Sequence, residues 1–270
     1  MAVAEQYARL EFDEAITFFR DKLQIPAEAW DAIWGDQHNS MFIVAGVVKS
    51  DLLADIHAEV TRAIAEGKSR TEFVREWDDI VSRRGWSPMG WHGQLVYDTN
   101  IRQAYNAGRE TQMQDPALLL RRPFGLYRHG EGSLIPRPMH LSWDGLVIRM
   151  DDPWWSTHTP QNGFNCKCKK FMLNQRDVDR LGTPPKAPPD DGTQEHIVRG
   201  KLVETPSGVD PSFDYRPGGN RDIQAENERV SDKVASLTEA GLWRIAEALG
   251  IDLVSVRAGL IDPPTLDFVS

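Results

Sequence analysis

Apolar residues recur at helical spacings through most of the first half of the chain. Tyr7, Leu10, Ile16, Phe19 and Leu23 form one such stripe, with Glu and Arg between them, and predict an amphipathic helix over residues 4–23. Pro26 in LQIPAEAW suits the first turn of a second, short helix with Ala29, Trp30 and Ile33 on its apolar side. The run MFIVAGVV fits a buried strand or the start of a buried helix. Helix is favoured, because Leu52, Leu53, Ile56, Val60 and Ile64 continue a helical period without a turn signal. Gly67 is the expected C-terminal stop, and Ser69 or Thr71 caps a following helix whose face is Phe73, Trp77 and Ile80. After a break rich in Gly, Pro and Trp at 85–93, residues 94–114 predict another helix. It turns Val96, Ile101, Tyr105 and Gly108 toward neighbours and ends at Asp115-Pro116. Arg102 and Arg109, one heptad apart, read as a solvated face; reaching back to acidic residues further along is the alternative.

From Arg121 the period changes. Turn residues come at short intervals with aromatic and β-branched residues between them, which predicts short strands joined by turns. A hairpin turn is expected at 130–132, between the FGLYR and SLIPR runs, and a second turn at Asp144-Gly145 inside LSWDGLVI. FMLNQRDVDRLG reads as a short helix, TPPKAPPDDG as a linker, HIVRGKLVE as strand and TPSGVDPSFDYRPGG as irregular chain. Helices are expected over 223–237 and 239–249. The fold class is therefore α+β: a predominantly helical N-terminal half, a small antiparallel β-rich core and an extended C-terminal arm. The parts divide as 1–120, 121–180, 181–220 and 221–270.

Composition narrows the classes. A chain of 270 residues with 40% hydrophobic content and nine tryptophans can bury a substantial core in one large or two modest domains. No apolar run reaches the length of a membrane span. The first residues lack the basic-then-apolar order of an export signal, so synthesis in the cytoplasm is expected. A net charge of -9 argues against indiscriminate nucleic-acid binding but leaves room for a local basic face. The two cysteines, Cys166 and Cys168, are too close for an unstrained disulfide, so they are free thiols or metal ligands.

The densest chemistry lies in RPMHLSWDGLVIRMDDPWWSTHTPQNGFNCKCKK, residues 137–170. Cys166 and Cys168, with His140, His158 and also His129, supply enough donors for one zinc ion, although the C-x-C spacing is shorter than the usual C-x2-C. Against this stands a cofactor-free reading, in which Cys166 is a small buried hydrophobe beside Phe164 and His140 is hydrogen-bonded in the core. Asp151 and Asp152 suit metal binding or acid–base work, but a turn cap or an ion-pair network with Arg137 and Arg149 is favoured. Asn162-Gly163 reads as a turn with a positive-φ glycine. Lys167, Lys169 and Lys170, with Arg121, Arg122 and Arg128, form a local excess of positive charge. It suits phosphate contact, or protection of a strand edge. No phosphate loop, dinucleotide fingerprint, zinc-protease or nucleophile-elbow motif is present.

This stretch resembles the signature of the phage Mu F-like family of minor head proteins: R-P-x-H, then D/H-G, D-D-P-F-W, P-P-N-G-W/F and C-R-C. Arg137, Pro138, His140, Leu141, Asp144, Gly145, Asp151, Asp152, Pro153, Trp154, Asn162, Gly163, Cys166 and Cys168 match it in order. YDTNIRQAYNAGRETQM, EFDEAITFFRDKLQIP and GVDPSFDYRPG are similar to further family segments, so the resemblance covers roughly residues 10–220. Departures are Gln161 for the second proline of P-P-N-G, Trp155 after Trp154, and Lys167 for the arginine of C-R-C. The resemblance implies a non-enzymatic phage or prophage protein of head morphogenesis. Its implied partners are the portal protein and other capsid or scaffold proteins, with DNA contact in some relatives and no membrane. Its implied place is the interior of the phage head. The alternative is a metal-dependent hydrolase or nuclease using His140, Asp144, Asp151 and Asp152.

Overall fold

A computed structural model describes residues 12–87, 90–130 and 136–219. The helices expected beyond residue 220, the start of the 4–23 helix and most of the SLIPR run lie outside the described residues. The fold is α+β, with its long helices before residue 122 and most of its strand residues after it. No helix among the described residues is long and apolar enough to cross a membrane. The described residues divide into two compact units, Phe19–Tyr97 and 12–18 with Asp98–Gly219.

In the first unit, two-residue strands β1 (Leu23–Gln24) and β2 (Met41–Phe42) pair in parallel. They bury Leu23, Ile25, Ile33 and Met41 together. Pro26 does not start a helix. Ile25 and Ala27 donate their N–H groups to Phe42 and Val47, and the proline sits between them, where no donor is needed. Two 3₁₀ turns, Trp30–Ala32 and Gly35–Asn39, follow in place of the expected α-helix. MFIVAGVV is likewise strand rather than helix: β2 is held by β1, and Gly46 at φ +84° turns the chain. The helical period of the next segment is real but begins at Ser50.

Helix α1 (Ser50–Glu66) buries Leu52, Leu53, Ile56, Val60, Ala63 and Ile64 and stops at Gly67, whose left-handed φ of 65° a Cβ would disfavour. Ser69 then caps α2 (Arg70–Arg83) with Glu72 reciprocating, a capping box that satisfies two orphan N–H groups. Phe73, Trp77 and Ile80 face inward as the spacing predicts. Buried Glu59 is matched by Lys68 at 3.0 Å and by Arg62.

The long helix α3 (His92–Met113) carries the 94–114 pattern. In the second unit its Gly108 lets the backbone of Ala15 approach to where a Cβ would sit 2.8 Å from the amide nitrogen. Asp115 ends α3 and caps a helix the periodicity did not show, α4 (Pro116–Arg121). A three-stranded antiparallel sheet follows, in the order β4 (Val147–Arg149), β3 (Phe124–Arg128), β5 (Lys169–Leu173). FGLYR is thus the central strand, with Leu126 opposite Val147 and Phe171, instead of a hairpin partner of SLIPR. Asp144-Gly145 is a turn with Gly145 at φ +82°, but it joins a short helix, α5 (Pro138–Ser142), to β4 in place of two strands. Proline at the first turn suits PMHLS to a helix. FML belongs to β5, and the expected helix starts only at Gln175.

The C-terminal arm is extended but anchored. Asp191 of the linker accepts from the Trp143 indole at 2.7 Å, and Lys186 donates its N–H to Val147. β6 (Thr193–Val198) and β7 (Lys201–Pro206) form a hairpin around Arg199-Gly200, both at positive φ. The irregular chain beyond it returns to the core, burying Val209, Phe213 and Tyr215.

Candidate functional site

The signature stretch gathers around one aromatic cluster in the second unit. Tyr127, Trp143, Ile148, Trp154, Trp155, Cys166 and Cys168 pack with Val209 and Phe213 of the arm. Trp143 meets Tyr127 and Trp154 edge-on at 5.5 and 5.6 Å. Asn162 is fully buried, and its side-chain oxygen accepts from the Tyr127 hydroxyl at 2.9 Å. Arg137 pairs with Asp210 of the arm at 2.6 Å and donates to the carbonyl of Phe164. Gly163 sits against that ion pair: a Cβ would lie 2.2 Å from Arg137 Nη1 and from Asp210 Oδ2. Close approach demands glycine there, and its φ of 158° is positive, as the turn reading expected.

Within this cluster His140, Cys166 and Cys168 bring their ligand atoms within 4.8 Å of one another, all three buried. His140 Nδ1 lies 3.5 Å from the Cys168 sulfur and 3.7 Å from that of Cys166. His129, at the end of β3, puts its Nδ1 3.7 Å from the Cys168 sulfur. His158 takes no part. Its ring stacks on Trp154 at 4.3 Å, and its Nδ1 faces the Trp154 carbonyl and the Thr157 hydroxyl. Burial pushes its pKa down to about 4. The two thiols divide one proton: the Cys166 contact holds Cys168 well below the ordinary thiol range, and the same contact with burial pushes Cys166 up.

The carboxylates do not converge. Asp144 accepts from the His129 N–H and meets Arg128. Asp151 forms an exposed two-point pair with Arg149, which holds its pKa down. Asp152 caps the N–H of Trp154. Of the expected ion-pair network only the Arg149–Asp151 half forms, because Arg137 is taken by Asp210. Each acid has a local structural task, which leaves the hydrolase reading without an assembled acid–base site among the described residues.

The basic residues separate by burial. Lys170, expected at a surface, is buried against Glu110 at 2.6 Å, with its ammonium 4.8 Å over the Trp155 ring. Arg122 is engaged by Asp177 and the Met172 carbonyl. Arg121 is exposed in the last turn of α4. Arg128, Lys167 and Lys169 instead line an open cleft of about 710 Å³ together with Arg102 and Arg109 of α3. Five of its twelve lining residues are cationic and none is acidic, a local excess of positive charge on an acidic protein, with Arg128 paired to Asp144 beside it. Arg102 pairs with Asp98 in its own helix, and Arg109 lies over Phe171 at 5.1 Å. Sequence reasoning missed the place of these two arginines and missed Glu110, Asp210 and Gly208 entirely. Asp210 and Gly208 were signalled only by the family-like GVDPSFDYRPG segment.

Comparison with known proteins agrees with the signature. Residues 54–171 match the family described as Phage Mu protein F like protein. A protein of Escherichia phage Mu named as capsid assembly protein F is 32% identical over 196 residues, covering 65% of this chain and 43% of that protein. The Mu-like prophage FluMu F protein of Haemophilus influenzae is 28% identical over 158 residues, 54% of this chain and 37% of that protein. The chain thus spans about two fifths of the length of these relatives. No solved structure matches it.

Proposed function

We propose that this chain, whose residues 54–171 match the family described as Phage Mu protein F like protein, is a minor head protein of phage or prophage head morphogenesis, acting by binding and not by catalysis. The similarity to the phage Mu protein named for capsid assembly carries this reading. In it the protein works inside the head, at the portal vertex, against portal and other capsid or scaffold proteins. Ile197 and Leu202, cross-strand neighbours on the arm hairpin, are 80% and 65% exposed and provide an apolar contact for such a partner. The basic cleft faces the phosphates of packaged DNA, where its five cations act without sequence preference.

The test is co-purification of the chain with the portal and major capsid proteins encoded beside it, together with its detection in assembled heads. Retention by portal or capsid protein, weakened by Ile197→Asp, is the expected result. Absence from heads and from every pairwise complex would overturn the assembly reading. For the cleft, affinity for duplex DNA should fall steeply with salt, and Arg102→Ala with Lys169→Ala should flatten that slope. An unchanged slope removes the DNA contact while leaving assembly standing.

A further inference from the structure

We propose that His129, His140, Cys166 and Cys168 form a four-ligand site for one zinc ion, which fastens the C-terminal arm to the sheet.

The first support is the spacing of the donors. Tetrahedral zinc, with bonds of about 2.3 Å to sulfur and about 2.0–2.1 Å to nitrogen, needs sulfur–nitrogen edges of about 3.5–3.6 Å. The edges present are 3.5 Å for Cys168–His140, 3.7 Å for Cys166–His140 and 3.7 Å for Cys168–His129. These three edges lie within a few tenths of an ångström of tetrahedral spacing; the donors of His140, Cys166 and Cys168 all lie within 4.8 Å of one another, and His129 joins them through its contact with Cys168.

The second is the orientation of His140. Its Nε2 lies 2.7 Å from the Gly208 carbonyl, which can only accept, so Nε2 carries the hydrogen. In the neutral ring the lone pair is then on Nδ1, the atom that faces both sulfurs. A carbonyl fixing the far nitrogen is the usual way a zinc-binding histidine is held. Gly208 reaches this position because it has no side chain: a Cβ there would lie 2.7 Å from Trp143 and Met139.

The third concerns the short C-x-C spacing, which departs from the usual two-residue interval. Residues 166–170 lead into and form the start of β5, with Cys166, Cys168 and Lys170 buried, Lys167 half-buried and Lys169 exposed. Along extended chain, residues two apart point to the same face, so here a single intervening residue is what puts both sulfurs on one side. Gly130 lets the His129 end of β3 close over them. A Cβ there would fall 2.0 Å from the Lys167 carbonyl oxygen.

The ion would join the end of β3, helix α5, the strand into β5 and, through Gly208, the arm. No step of the assembly reading depends on it, and its failure would leave that reading untouched.

The experiment uses the full-length chain, expressed with zinc in the medium and analysed for bound metal, then stripped with a chelator and titrated with cobalt(II). One zinc per chain is expected. Cobalt should produce sulfur-to-metal charge-transfer absorption together with the intense visible bands of a tetrahedral site. His158→Gln should leave that spectrum unchanged, whereas His129→Gln should weaken cobalt affinity at least tenfold and alter the visible bands. Cys166→Ser should remove most of the charge-transfer intensity. If that variant does not fold, the stripped wild-type chain and His129→Gln carry the test. A folded wild-type chain that purifies without metal and takes up no cobalt overturns the site. A loss in His158→Gln with none in His129→Gln overturns the fourth ligand.

Discussion

Glu110→Gln isolates the buried charge beneath the sheet. Glu110 and Lys170 are 2% and 4% exposed, with carboxylate and ammonium 2.6 Å apart. Gln114 also donates to the carboxylate at 3.0 Å, and Arg216 lies 3.7 Å away. The substitution keeps the volume and removes the charge, which leaves the Lys170 ammonium buried over Trp155 with no counter-ion. Removing one partner of such a pair costs about 3–5 kcal/mol. For a chain of this size that lowers Tm by roughly 10 °C. Burial already pulls the Lys170 pKa below its ordinary value, with Glu110 opposing. Without Glu110 it falls further, so the folded state releases a proton that the unfolded state keeps up to about pH 10.5. Stability then rises with pH, and the deficit against wild type narrows between pH 7 and 10. Urea unfolding followed by tryptophan fluorescence measures both effects. A cost below about 1 kcal/mol, or a deficit independent of pH, refutes the reasoning. The Glu110→Met, Lys170→Met pair should recover most of the loss.

Further expectations follow the same logic. Asn162→Ala removes the Asn162 acceptor of the buried Tyr127 hydroxyl and leaves it only its contact with Cys168, and should cost about 1 kcal/mol in the same assay. Gly163→Ala drives a methyl into the Arg137–Asp210 pair, and should release the arm, read as faster proteolysis within 207–216; unchanged cleavage removes the close-approach argument. Ser69→Ala deletes the α2 cap and should lower stability by about 1 kcal/mol. His57 is held neutral chiefly by burial, with Nε2 donating to Phe19. Its folded pKa is below the unfolded one near 6.5. Unfolding therefore takes up a proton, and stability falls as pH drops below that value. His57→Leu should remove part of that slope in unfolding curves between pH 7 and 5.

The helices of the N-terminal half were legible because an amphipathic stripe and its caps are local. Leu52 to Ile64, Gly67 and the Ser69–Glu72 box need no knowledge of the partner surface. MFIVAGVV and Pro26 were misread because the hydrogen bonds that make them strand come from each other, some 15–20 residues apart along the chain. The start of LSWDGLVI was misread as strand because it continues a short helix, Pro138–Ser142, set by a proline at its first turn. The linker and arm looked loose in composition, yet Asp191, Val209, Asp210 and Phe213 tie them to the core.

By itself, then, the sequence determined the α+β class, the helix boundaries set by caps and the resemblance carried by residues 137–170. Only the tertiary structure decided which side chains meet. It exchanged His158 for His129 beside the sulfurs, buried Lys170 under Glu110, and gathered Arg102 and Arg109 with Arg128, Lys167 and Lys169 into one cleft. The reason is physical. Capping and periodicity are set within a turn or two of chain, whereas ion pairing, ligand geometry and burial depend on distances that the chain establishes only when remote segments pack.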